Sequence, residues 1–85
     1  MPEISRFQGV VVRMYYREHG PAHLHAAHGA SRIVVHLATG SVQGDFPLSA
    51  LRHVLRWYDL HRTELELDWQ LLQQEKPPNR IAPPE

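Results

Sequence analysis

Residues 9 to 17 read GVVVRMYYR, and the fold turns on this run. β-Branched and aromatic side chains crowd it, and a period of two puts Val10, Val12, Met14 and Tyr16 on one face, with Val11, Arg13, Tyr15 and Arg17 on the other. That pattern predicts a strand from Gly9 to Arg17. His19-Gly20-Pro21-Ala22 supplies turn chemistry, so a second strand, Ala22 to His28, is expected to return beside the first. After Gly29-Ala30, the run SRIVVHLA alternates Ile33, Val35 and Leu37 against Arg32, Val34 and His36. Past Thr39-Gly40-Ser41, SVQGDF makes a short fourth strand weakened by Gly44.

The pattern then changes period. Pro47 suits the first turn of a helix, and in PLSALRHVLRWYDLHR the residues Leu48, Leu51, Val54, Leu55, Trp57 and Tyr58 recur at three and four, forming one stripe that needs a core. Thr63 and Glu66 match a capping box, which places a break near His61-Arg62 and a second helix over 63–75 that buries Leu65, Trp69 and Leu72. Pro77-Pro78 ends it. The expected fold is therefore α+β: an antiparallel β-meander of three or four strands followed by two helices packed on one face. A single domain is expected over residues 1–76, with a Pro-rich C-terminal tail over 77–85 that either docks Ile81 or hangs free.

Composition narrows the function classes. The chain has 85 residues and no cysteine, which removes disulfides and thiolate metal ligands and suits a reducing cytoplasm. MPEISRFQG lacks a long apolar run, and nowhere does the sequence approach the roughly 20 apolar residues that span a bilayer, so no membrane partner is expected. Charge is unevenly placed. Seven arginines (6, 13, 17, 32, 52, 56, 62) face four acids up to residue 62, while Lys76 and Arg80 face five acids beyond it. The formal net charge is zero, which argues against a dedicated nucleic-acid binder while leaving room for a local arginine patch.

The order MP-x-I-x-x-F-x-G, a Met-Tyr strand, H-x-x-x-H-x-H-A, then Gly44, Leu51, Val54, Trp57, His61, Leu65, Trp69 and a terminal I-x-P resembles the small bacterial "domain of unknown function 4160" family. The family's proline-rich PPHFHA segment stands here as Pro21-Ala22-His23-Leu24-His25-Ala26, with Leu24 at the aromatic position. The resemblance implies a genetic context of small toxin-antitoxin-like pairs and a hot segment around the histidines. It implies no established reaction.

Strand periodicity adds a surface. Leu24 and Ala26 are the apolar pair and should face the helices, which sends His23 and His25 to the uncovered face with Arg13, Tyr15, Arg32 and His36. Three readings of that face compete. In the first, the domain is an interaction module that meets a cognate small protein through its open sheet or through the basic helix face of Arg52 and Arg56. In the second, it is a metal-free RNA-cleaving toxin: His23 and His25 exchange protons, Arg13 or Arg32 stabilises charge on phosphate, and Tyr15 stacks or donates a proton. In the third, the H-x-H pair, about 7 Å apart at Cα, begins a site for Zn²⁺ or another transition metal. His19 or His36 would add a ligand, and Glu18 or Asp45 would support it. His28, at odd spacing from His25, should point the other way. His53 and His61 read as helix-surface residues. No Walker loop, nucleophile elbow, GxGxxG or HExxH occurs.

Overall fold

The computed structural model describes residues 2–84. A five-stranded antiparallel sheet in the order β1-β2-β3-β4-β5 is formed by Glu3–Phe7 (β1), Val10–Arg13 (β2), His23–His28 (β3), Ser31–His36 (β4) and Val42–Asp45 (β5). The helices Leu48–Leu60 (α1) and Arg62–Gln73 (α2) follow it. The chain is thus the α+β meander that the alternation predicts, with one more strand.

That extra strand is β1. Phe7 pairs with Val10 around a two-residue turn in which Gln8 and Gly9 both have positive φ, 49° and 79°, the geometry of a type I′ hairpin. An irregularity in the pairing between Glu3 and Ser5 leaves Ile4 and Ser5 both buried, so MPEISRF does not show a clean alternation. β2 is shorter than predicted. It stops at Arg13 because Arg17 takes a φ of 54° and its N–H donates to the Leu72 carbonyl of α2 at 3.3 Å, which pulls the chain off the sheet. Met14 stays buried, but Tyr16, expected beside it, is exposed.

Register carries the alternation across the sheet. Val10, Val12, Leu24, Ala26, Ile33 and Val35 point inward to one cluster with Val54, Trp57, Leu65 and Leu72, so both helices cover this face. α1 begins where Pro47 predicts, with the Leu51 N–H donating to the Pro47 carbonyl at 2.9 Å. Its buried stripe is Ala50, Val54, Trp57 and Tyr58; Leu48, at 61% exposure, sits on the far side, because the stripe is centred on Trp57 rather than on the leucines. The break falls at His61 as expected, yet Thr63 caps nothing. α2 already begins at Arg62, and the contact made there is His61 Nδ1 with Glu64.

The tail docks. Ile81 is 3% exposed, and its N–H donates to the Ile4 carbonyl at 2.9 Å. The Trp57 indole N–H donates to the Ala82 carbonyl at 2.8 Å, and the Asn79 N–H to Asp68 Oδ1 at 2.8 Å. Residues 79–82 therefore strap β1 to the helices, while residues 1 and 85 of the predicted domain and tail lie outside those described.

Candidate functional site

Because Leu24 and Ala26 are drawn into the core, His23 and His25 are driven to the uncovered face. Antiparallel register then sets rows of side chains across it. Arg13, His25, Val34 and Gln43 form one row, Val11, Ala27, Arg32 and Asp45 the next, and His23 lies opposite His36 on the other side. Apart from Asp45, the first two rows line a groove of about 520 Å³ with Tyr15 at its border. Its floor is apolar, from Val11, Ala27 and Val34. Neither Arg13 nor Arg32 belongs to an ion pair among the described residues.

At the end of the groove the loop between β2 and β3 brings in an acid. Its backbone is tied to α2 by the Arg17 N–H and by Gln73 Nε2, which donates to the Glu18 carbonyl at 2.8 Å. That tether leaves the Glu18 carboxylate facing both histidines. His25 Nε2 lies 2.8 Å from Oε2 and 3.1 Å from Oε1, and His23 Nε2 lies 3.2 Å from Oε1. The ring of His23 is fixed from behind, with Nδ1 donating to the Pro21 carbonyl at 2.8 Å. Aromatic neighbours hold both imidazoles: Tyr15 edge-on to His25 at 4.7 Å between centroids, and Trp69 tilted against His23 at 5.3 Å.

The family model of a domain of unknown function, DUF4160, matches residues 9–70. The chain belongs to the DUF4160 family. No curated protein and no solved structure matches it. The DUF4160 segment contains all of Glu18, His23 and His25, and it leaves out β1 and the docked tail.

Of the residues singled out in the sequence, this DUF4160 domain brings together His23, His25, Arg13 and Tyr15, with Arg32 one row away. His36 neighbours His23 at 6.1 Å between ring centroids but stays outside the group formed with Glu18. His19 is exposed in the loop and makes no part of that group. His28 points inward, opposite Val10, and meets Phe46 edge-on at 5.9 Å. Trp69, expected as a buried anchor, is half-buried because its ring is spent on His23. Asp45 stands across from Arg32 on β5, outside the group that Glu18 forms with the histidines. The principal member that sequence reasoning placed only as support is Glu18. Its signal is the spacing E-x-x-x-x-H-x-H around Gly20-Pro21, a turn tight enough to fold the carboxylate back onto the strand that follows.

Chemically the group is constrained. The Pro21 carbonyl can only accept, so His23 Nδ1 carries a proton, and whatever lies between His23 Nε2 and the carboxylate must reconcile two groups that otherwise both accept. A second proton on the ring does this, and so does a cation. His25, held by Glu18 through Nε2, stands beside Arg13 in the manner of an imidazole oriented by a carboxylate.

Proposed function

We propose that this chain is a cytoplasmic protein-interaction module of a toxin-antitoxin-like pair, and that its uncovered sheet face takes an acidic segment of its small cognate partner. The observation that supports this most is the groove itself: two guanidiniums that form no ion pair among the described residues, Arg13 and Arg32, border an apolar floor, with Asp45 opposite Arg32 at the outer strand. Guanidinium forks match carboxylates bidentately, and an apolar floor favours a peptide over a bare ion. Zero net charge supports a protein partner over a polyanion. The test uses the small partner that this reading expects to be encoded beside the chain, purified and titrated into it. Arg13→Glu with Arg32→Glu should weaken binding by about 100-fold or more, while His19→Ala, outside the groove, leaves it nearly unchanged. Unchanged affinity in the arginine variant would sink the reading.

A second reading is favoured by the Glu18–His25 contact beside Arg13. In it the domain is a metal-free RNA-cleaving toxin in which His23 and His25 move the protons and Arg13 steadies the phosphate. Expressed alone, such a protein arrests growth, and the paired change His23→Ala and His25→Ala abolishes the arrest with the circular dichroism spectrum intact. Equal toxicity of the double variant would exclude it.

A further inference from the structure

We propose that Glu18, His23 and His25 form a binding site for one divalent first-row transition-metal ion of the Zn²⁺ type. The three ligand atoms lie within 4.8 Å of one another. A tetrahedral ion with bonds of about 2.1 Å needs ligand atoms about 3.4 Å apart, and the Glu18 Oε1 separations from His25 Nε2 and His23 Nε2 are 3.1 and 3.2 Å. The two carboxylate contacts thus need to open by a few tenths of an ångström, while the two imidazole nitrogens, within 4.8 Å of each other, come to the same spacing.

Three further features fit a metal better than a bare hydrogen-bond cluster. The Nδ1 of His23 is already committed to the Pro21 carbonyl, the arrangement that fixes a ligating histidine with its Nε2 lone pair turned to the metal. With that nitrogen unprotonated its lone pair faces a carboxylate oxygen, and a cation between them replaces the repulsion with two bonds. The carrier loop is also tied down, because Gln73 and Leu72 hold residues 17 and 18 from outside the site. The side chains of His23, Glu18 and His25 keep 13%, 26% and 30% exposure, which leaves the remaining coordination positions to water. Two imidazoles and one carboxylate select transition ions over Mg²⁺ and Ca²⁺, which take oxygen ligands. The site shares His25 with the groove's rim but uses neither arginine, so it stands or falls independently of the partner reading.

The test takes tag-free full chain, stripped with chelator and titrated with Zn²⁺, and with Co²⁺ as a spectroscopic probe. One Zn²⁺ per chain is expected, not displaced by millimolar Mg²⁺, and Co²⁺ should give the intense visible absorption of a low-coordinate, nitrogen-ligated ion. Glu18→Gln and His25→Ala should each lower Zn²⁺ affinity by about 100-fold or more, and His19→Ala should leave it unchanged. Less than about a tenth of an equivalent bound at saturating Zn²⁺, or an aqueous-type Co²⁺ spectrum with the wild-type chain, overturns the assignment whether or not the variants fold. Undiminished affinity in a folded His23→Ala, His25→Ala double variant overturns it too.

Discussion

Asp68 is fully buried on α2, with Oδ1 accepting the Asn79 N–H and Oδ2 without a partner among the described residues. Burial is the main cause that pushes its carboxyl above the ordinary 3.8, while the Asn79 N–H draws it down and Glu64 adds to the rise. The folded chain thus holds a proton where the unfolded chain has lost it, so this group's contribution falls as pH rises from 3.8 through the raised value. Asp68→Asn keeps the acceptor and removes the charge. It should gain stability relative to wild type at pH 7 but not at pH 3, read from urea midpoints; the same difference at both pH values would refute the argument. Glu3 has the opposite sign. The hydrogen bond from Arg6 brings its carboxyl down to about 2 against partial burial, with Arg80 assisting. Its contribution is present above the ordinary 4.5 and lost as pH falls through about 2, so Glu3→Gln should remove part of the acid limb of the stability profile. Gly44 is fixed by sterics, because its φ is 107° and a Cβ there would collide with the Arg32 carbonyl oxygen. Gly44→Ala should cost about 1–3 kcal/mol in urea unfolding, and a neutral result would mean that β5 leaves the sheet easily.

Among elements, the strap of residues 79–82 and β1 depend on each other. Ending the chain after Pro78 removes the burial of Ile81, worth roughly 1.5–3 kcal/mol, together with the partners of Asp68 and the Trp57 indole. The shortened chain should therefore lose at least that much stability, and the amides of β1 should lose hydrogen-exchange protection before those of β3. Uniform loss across the sheet would contradict the coupling. The same elements show what sequence could tell. β3 and β4 were legible because buried Leu24, Ala26, Ile33 and Val35 alternate with less buried neighbours, so their period of two is undisturbed. β1 was not, because its irregular pairing buries two successive residues, Ile4 and Ser5, and erases the alternation. Leu48 misled because helical spacing defines a stripe but not where its centre falls; Trp57 and Ala50 decide that by packing. His23 and His25 followed from alternation alone. Glu18 did not, since its place depends on Gln73, 55 residues away, holding the loop.

For the whole molecule, the helices cover the core side of the sheet and leave the other to the groove, so the groove and the core are divided between faces. No helix among the described residues is long and apolar enough to cross a membrane. With zero net charge overall, the cationic side chains that line the groove are Arg13 and Arg32, a local handle for an anion. Any RNA bound there should show a shallow salt dependence, with a log–log slope near −1.4 for about two neutralised phosphates of a single strand. A much steeper slope, from filter binding across a salt series, would point to a broader basic footprint and favour the RNA reading over the protein partner.

The strap also has a meaning in time. Arg80, which grips Glu3, follows it by 77 positions, and the Ile81 N–H that caps the Ile4 carbonyl comes still later. Strand β1 is translated before the rest of the sheet, yet the partner that completes its hydrogen bonding follows α2. A nascent chain that has already made its meander and helices thus still has an open seam at β1 and Trp57 until residues 79–82 close it.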